Sequence, residues 1–136
     1  MKAICIQMMI TYTDNGITLF EEGEVVEYTA REREFIIYGA EMHSTTFFSH
    51  FKVTEGKERM SYSDFEYILC NYIFSSAVLF PNEYCGVRHL VIQDMFKGTI
   101  MITVNKREDI IRVSFNDTQE KYSTYEEAIE EIKKRR

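Results

Sequence analysis

The sequence predicts an α+β fold: an N-terminal strongly curved antiparallel sheet or small barrel, a central buried helix, and a C-terminal β-hairpin followed by a helix. Three observations predict this class. Short β-runs separated by turn residues occupy residues 1–56, helical periodicity follows Ser63, and two apolar β-runs precede an amphipathic C-terminal stretch. A chain of 136 residues suits a single compact domain over 1–136, with a β-rich subdomain 1–56 and a second subdomain 57–136 as the alternative.

The first segment has the alternation of a half-buried strand. From Ile4 to Ile10 every second residue is apolar, which predicts one strand beginning at Lys2. "TDNG" at Thr13–Gly16 and "EEGE" after Phe20 are turn sequences, because Asn and Gly adopt positive φ at little cost. These turns separate further strands over "ITLF" and "VVEY".

Two more strands are predicted before residue 56. "AREREF" turns the chain into the apolar run "FIIYG". In "STTFFSHFKV", four residues would share one face of a strand: Thr45, Phe47, Phe51 and Val53. Five short strands joined by tight turns favour a curled sheet or a small barrel.

A change of period predicts the central helix. Ser63 and Glu66 match a capping box, in which the hydroxyl and the carboxylate each satisfy a free backbone amide. Apolar residues continue at helical spacing to Phe80 on more than one side, so we expect a helix buried on several faces. Pro81 and Asn82 are expected to end it.

The C-terminal third predicts a hairpin and a helix. "GTIMITV" and "DIIRVSF" are β-runs joined by the loop "NKRE", and "NDTQEKY" is typical of a turn. Ser123 and Glu126 match a second capping box, and Lys133 lies near the helix end, as the helix dipole favours. The helix would bury one stripe: Tyr125, Ala128, Ile129 and Ile132.

Composition excludes two classes of protein. A hydrophobic fraction of 45% with 28% charged residues indicates a folded chain rather than a disordered one. The longest apolar stretch is shorter than the roughly 20 residues that span a bilayer, so we expect no membrane association. Cys5, Cys70 and Cys85 are odd in number and lack paired spacing, and the N-terminus lacks a signal-peptide pattern. We therefore expect reduced thiols and a cytoplasmic location.

Charge indicates the chemistry of a partner. The net charge is −6, and residues 1–60 contain six Lys and Arg against ten Asp and Glu. Such a chain is repelled by nucleic-acid phosphates and attracted by basic proteins. We therefore expect a basic protein partner, with a nucleic-acid-binding enzyme as one candidate, and no direct binding of nucleic acid.

The segment "EEGEVVEYTARERE" concentrates this acidity in residues otherwise typical of a strand. Carboxylates here protect a sheet edge from aggregation, or they imitate a phosphate backbone and fill the nucleic-acid groove of a protein. Arg31 and Arg33 interrupt the series. The candidate partner-binding residues are Glu21, Glu22, Glu24, Glu27, Glu32 and Glu34.

One other segment, "EYCGVRH", is a candidate for chemistry. A cation near Cys85 would lower the pKa of its thiol, and His89 is a candidate base for a nucleophilic cysteine. If the residues from Arg88 onward form a strand, however, Arg88 and His89 point to opposite faces and cannot both serve the thiol. The Cys and His spacings match no zinc motif, and no phosphate-binding glycine loop occurs, so we expect no metal and no cofactor.

The segments "KAICIQ", "LFEEGEVVEY", "EFIIYG" and "MHSTTFF" resemble small phage and mobile-element proteins that have an SH3-like barrel. The resemblance covers roughly the first fifty residues and rests on strand and turn chemistry. It implies a small barrel there and carries over no catalytic residue. Small acidic phage proteins of this size resemble inhibitors of host defence enzymes, anti-CRISPR proteins among them.

These observations predict a non-catalytic, acidic protein-binding module, and specifically a phage or mobile-element inhibitor that blocks a basic, nucleic-acid-binding host defence protein. Two alternatives remain open. One is a small hydrolase or transferase that uses Cys85 and His89, and the other is a toxin-immunity protein, which shares the acidic and compact character. Homodimer formation through an exposed strand is also left open.

Overall fold

The computed structural model describes residues 1–74, 78–84, 86–94, 98–105, 107–108, 110–115 and 118–134. Antiparallel sheets and three α-helices in these residues confirm the α+β class, and no closed barrel is found among them. The chain divides into two compact units, Met1–Asp64 and Phe65–Arg136.

The strands of the first unit form three small sheets rather than one curved sheet. The sheets have the orders β4-β1-β8, β2-β3 and β5-β6-β7, with antiparallel pairing throughout. The strands are β1 Lys2–Cys5, β2 Met9–Thr13, β3 Gly16–Phe20, β4 Val25–Glu27, β5 Thr29–Arg31, β6 Glu34–Ile37, β7 Ala40–His43 and β8 Phe51–Glu55.

The turn predictions in this unit are confirmed. Asp14 and Asn15 form the turn between β2 and β3, and Gly16 follows with φ 89°. Gly23, with φ 90°, lies in the turn between β3 and β4. An L side chain rarely adopts these angles, so glycine is the residue that each turn favours.

The prediction of one strand from Lys2 to Ile10 is wrong in both length and face. The backbone amides of Ile6 and Gln7 both donate to the His50 carbonyl, at 2.8 and 3.3 Å, so the strand ladder stops after Cys5. Ala3 and Cys5 are buried, whereas Ile4 and Ile6 are only half-buried. The period of two was predicted correctly, but the buried face is the other one.

Residues 44–50 form a helix, α1 Ser44–His50, where the sequence predicts a strand. The Nδ1 atom of His43 accepts a hydrogen bond from the Thr45 amide at 3.3 Å and caps the helix. A strand would send the neighbouring Phe47 and Phe48 to opposite faces. In the helix both are buried, and their rings meet edge to face at 5.2 Å.

An aromatic cluster forms the core of the first unit. Phe35 and Phe47 stack with ring centroids 4.0 Å apart, and Phe47 also stacks on Phe51 at 5.5 Å. Phe20 meets Phe51 edge to face, and Tyr28 lies 5.2 Å from Phe47. Such pairs stabilise a core by roughly 0.5–1.5 kcal/mol beyond their area burial. The cluster therefore ties β3, β6, β8 and α1 together.

A buried carboxylate joins three elements of this unit. One oxygen of Asp64 accepts hydrogen bonds from the Ser44 hydroxyl at 2.7 Å and from the Arg33 guanidinium at 2.9 Å. The other oxygen accepts from the Ser61 amide at 3.1 Å. Burial by itself raises the pKa of the Asp64 carboxyl, but the hydrogen bonds from Ser44, Ser61 and Arg33 outweigh it and leave the pKa below its ordinary value.

The helix α2 Tyr62–Ile68 is capped two residues earlier than predicted. The Ser61 hydroxyl accepts from the Asp64 amide at 3.2 Å, while the Asp64 carboxylate accepts from the Ser61 amide. This reciprocal pair is a capping box. The proposed cap residue Ser63 instead lies exposed inside the helix. Asp64, and not the predicted Glu66, is the carboxylate of the capping box. Asp64 is buried and also accepts hydrogen bonds from Ser44 and Arg33.

The predicted continuation of this helix to Phe80 is also wrong. A π-helical segment, Leu69–Ile73, follows α2, and residues 78–84 form the strand β9 Val78–Tyr84. β9 pairs along its whole length with β10 Val87–Asp94. It lies at the edge of its sheet, where Pro81 is tolerated because one side of the strand needs no amide donor.

The second unit contains a five-stranded meander in the order β13-β12-β11-β10-β9. The predicted hairpin is confirmed as β11 Gly98–Asn105 paired with β12 Ile110–Phe115. Residues predicted to form a turn are instead the strand β13 Thr118–Tyr122. Their polar side chains show little alternation because β13 is the other edge of the sheet.

The C-terminal helix α3 Tyr125–Lys134 is confirmed, and it packs on β12 and β13. Its stripe of Ala128, Ile129 and Ile132 is buried, while Tyr125 is half-buried. The Thr124 hydroxyl accepts from the Glu127 amide at 3.2 Å. The cap therefore lies one residue after the predicted Ser123.

We expect Ser61→Ala to lower the free energy of unfolding by about 1 kcal/mol, because it removes the hydroxyl that caps α2. Ser63→Ala is the matched control, since Ser63 is exposed within the same helix, and we expect it to change stability by less than about 0.5 kcal/mol. Urea denaturation followed by circular dichroism measures both. A larger loss for Ser63→Ala would contradict the observed cap.

We expect Asp64→Asn to lower the free energy of unfolding by about 2–3 kcal/mol at neutral pH, since it breaks buried, charge-assisted hydrogen bonds. The pKa of this carboxyl is lowered by folding, so its contribution is fully present above the ordinary value of 3.8 and is lost as the pH falls through the lower folded value. Urea denaturation from about pH 5 to pH 2 should show the two proteins converging. A difference that is constant over this range would be evidence against the assignment.

Candidate functional site

The six glutamates proposed for partner binding are all exposed. Glu21, Glu22 and Glu24 lie in the connection between β3 and β4, and Glu27 ends β4, an edge strand of its sheet. The other two are at the turn between β5 and β6: Glu32 lies in the turn, with φ 57°, and Glu34 is the first residue of β6. All six belong to the first unit. We call this set the acidic segment.

The carboxylates of the acidic segment have no ion-pair partner within the described part of the chain. Arg33, which interrupts the segment in the sequence, instead pairs with the buried Asp64 at 2.9 Å. Its charge is therefore balanced by a carboxylate outside the segment. Arg31 is the other cation in the sequence between Glu21 and Glu34, and it lies opposite Glu34 in the β5–β6 ladder.

The hairpin β2–β3 carries an apolar face that is exposed. Two cross-strand pairs form it, Ile10 with Leu19 and Tyr12 with Ile17. Their exposed fractions are 63% and 44% for the first pair and 74% and 70% for the second. The sequence indicates alternation here, but it does not indicate that this apolar face points outward. We call these four residues the hairpin face.

Three threonines, Met9 and Phe20 occupy the opposite side of the same hairpin. Thr11 and Thr18 are cross-strand partners, and the Thr13 and Thr18 hydroxyls lie 2.7 Å apart. Phe20 is fully buried at the end of β3. The anchoring side of this hairpin therefore combines threonines with Met9 and the buried Phe20, whereas its exposed side is mostly apolar. The signal that was missed is the placement of Thr11, Thr13 and Thr18 on one face at the register set by the turn.

The candidate site of thiol chemistry lies only partly within the described residues. Cys85 lies outside the described residues. His89 is exposed on β10, 3.4 Å from the Thr103 hydroxyl, whereas Arg88 lies on the other face and pairs with Glu66. Burial raises the pKa of the Cys5 thiol and of the Cys70 thiol, so both are protonated at neutral pH.

The described residues of the first unit line a cavity, and the described residues as a whole form no metal-binding cluster. No group of three or more His, Cys, Asp or Glu side chains in the described ranges is placed to hold a metal ion. A cavity of about 360 Å³ opens in the first unit, and one of its lining residues, Tyr28, has its hydroxyl committed to Glu58 at 2.5 Å. The lining residues are Met1, Glu27, Tyr28, Thr29, Ile36, Tyr38 and Gly39.

Comparison with protein-family models, with curated protein sequences and with solved structures finds no match to this chain. Of the helices that the structure describes, none combines the length and the apolar character needed to cross a bilayer. The candidate binding site is therefore defined by this chain's own residues. Its two components are the acidic segment and the hairpin face, which are contiguous in the sequence from Met9 to Glu34.

We expect Tyr12→Ser and Ile17→Thr each to lower the free energy of unfolding by less than about 1 kcal/mol, because each removes only a cross-strand contact on an exposed face. Phe20→Ala is the contrasting variant from the buried side, with an expected loss of about 3–5 kcal/mol. Thermal and urea denaturation measure these differences. A large loss for Tyr12→Ser would mean that the hairpin face belongs to the core.

Proposed function

We propose that this protein is a non-catalytic binding module whose acidic segment engages a basic surface on another protein. The observation that carries the proposal is the set of six exposed carboxylates that are left without ion-pair partners in the described chain. Uncompensated carboxylates on one unit repel phosphates and accelerate encounter with surfaces rich in Lys and Arg. Edge protection also explains the charge of Glu27 on β4, an edge strand. It does not explain Glu21, Glu22, Glu24 and Glu32, which lie in a connection and a turn and not on a strand.

The proposal extends to the class of partner. A basic surface that binds carboxylates of this density is one that ordinarily binds phosphates, so the partner is a nucleic-acid-binding protein and the chain acts as its inhibitor. A phage or mobile-element inhibitor of a host defence enzyme has this chemistry, with the anti-CRISPR proteins as the analogous class. The Arg33 side chain is half exposed, but it pairs with the buried Asp64 and with none of the six glutamates, so their carboxylates stay without an ion-pair partner in the described chain.

Charge reversal tests this proposal. We expect the double variant Glu22→Lys, Glu24→Lys to weaken binding to the isolated partner by about tenfold or more and to reduce the dependence of affinity on salt. The control is Glu108→Lys, Glu127→Lys, which changes the net charge equally at two exposed positions in the second unit. Partners recovered from an extract of the source cells are identified by mass spectrometry, purified and titrated at several salt concentrations.

Equal weakening by the two double variants would reduce the effect to net charge and remove the acidic segment from the proposal. Retained binding by both would contradict the proposal outright. A partner with an acidic rather than a basic surface would do the same.

A further inference from the structure

We infer that the hairpin face is the apolar anchor of the binding surface, and that it docks into an apolar site rimmed by Lys and Arg on the partner protein. This inference rests on the proposed function and adds to it the side chains that supply affinity. In protein interfaces a few central, desolvated apolar or aromatic residues supply most of the binding energy, while a polar rim sets orientation and encounter rate. Tyr12 and Ile17 are the most exposed of the four and form one cross-strand pair.

The hairpin face is large enough to be an anchor. Its four residues are exposed by 44–74%. Because one aromatic side chain buries roughly 150–250 Å², four large residues exposed to this degree present about a few hundred Å² of surface, most of it apolar. That is within the range of the largest apolar patch on a typical monomer, and such patches often mark interaction sites. Met8, exposed by 58%, precedes the hairpin and adds to the same stretch of chain.

The register that turns these residues outward is the one that buries Phe20. A register shifted by one residue would turn the threonines to solvent and the apolar residues inward, but it would also move Phe20 out of the aromatic cluster. The observed register is held by the turn at Asp14 and Asn15, by the 2.7 Å contact between the Thr13 and Thr18 hydroxyls, and by buried Phe20. Apolar side chains are therefore presented to solvent by a defined structure and not by fraying of the hairpin.

The charges next to the hairpin in the sequence indicate the chemistry of the partner that the hairpin face would bind. Residues 3–30 contain no Lys, Arg or His, and Asp14 lies in the turn at the tip of the hairpin. Glu21 and Glu22 follow directly at the end of β3, where the acidic segment begins. An apolar face with acidic residues at both of its ends is complementary to an apolar site with a cationic rim.

A second copy of this chain fits the hairpin face less well. Two copies packed face to face would bring like charges together at Asp14, Glu21 and Glu22. The hairpin face alone would also contribute less than the about 800 Å² per partner of a standard interface. A basic partner that contacts both the hairpin face and the acidic segment reaches that area and compensates the carboxylates.

The experiment uses a displayed library of random linear peptides as the probe and the intact protein as the bait. We expect the enriched peptides to carry Lys or Arg on both sides of an apolar segment, and Tyr12→Ser to weaken their binding by about tenfold or more. The control is Tyr84→Ser, because Tyr84 has the same exposed fraction of 74% and lies on β9 in the second unit. This control should leave the affinity unchanged. Ile17→Thr provides a second hairpin variant and should act in the same direction as Tyr12→Ser.

Three results would overturn the inference: no enrichment of peptides, enrichment of peptides without basic residues, or equal binding by wild type and Tyr12→Ser. Sedimentation of the protein alone over a range of concentrations tests the second copy. A dimer that Tyr12→Ser dissociates and Tyr84→Ser does not would assign the hairpin face to self-association and overturn the inference as well.

The charge-reversal variant separates this inference from the proposed function. If Glu22→Lys, Glu24→Lys weakens binding of the peptides and Tyr12→Ser does not, the acidic segment binds and the hairpin face is not its anchor. If only Tyr12→Ser weakens binding, the hairpin face is a docking site but the acidic segment is not, which contradicts the proposed function.

Discussion

The buried carboxylate of Asp64 is the interaction on which the first unit depends. It accepts hydrogen bonds from Ser44 at the start of α1, from Arg33 in the turn between β5 and β6, and from the Ser61 amide at the cap of α2. A buried charge is costly unless it is paired and hydrogen-bonded, and this one has both kinds of partner. The same pairing commits the half-exposed Arg33 side chain to Asp64 and not to a glutamate of the acidic segment. A structural requirement of the core thereby leaves those glutamates without this cation as a partner.

The first unit combines two surface properties that matter most when they occur together. In the proposed binding mode, the acidic segment supplies long-range attraction, which salt screens, and the hairpin face supplies short-range apolar contact, which salt affects little. The charges of the second unit include pairs between neighbouring elements, such as Arg88 with Glu66 and with Glu83. Its helix α3 has the usual amphipathic arrangement, with the apolar stripe buried against β12 and β13. Our proposal therefore places binding on the first unit.

Turn residues and hydrophobic periodicity predicted the elements that are stabilised by neighbouring residues in the sequence. The turn at Asp14–Asn15, the hairpin of β11 and β12, and the buried stripe of α3 follow from turn residues and periodicity within a few residues of each other. The errors lie where side-chain packing or strand pairing overrides the local sequence pattern. Residues 44–50 became helical because Phe47 stacks between Phe35 and Phe51, and residues 78–84 became a strand because β10 offers a complete ladder of partners.

The amino-acid sequence by itself determined the α+β class, the acidity of the front half, and the alternation of apolar residues along the hairpin, because composition and period are properties of the chain alone. Only the tertiary structure decided which face of that alternation is buried and which charges are paired. The period of two places Ile10 on the buried face of the first predicted strand, yet Ile10 is exposed, as are Tyr12 and Ile17 on the same face. Arg33 reads as an interruption of the acidic segment, yet its partner is Asp64, 31 positions further along the chain. Burial and ion pairing are non-local, since they depend on which segments the fold brings together.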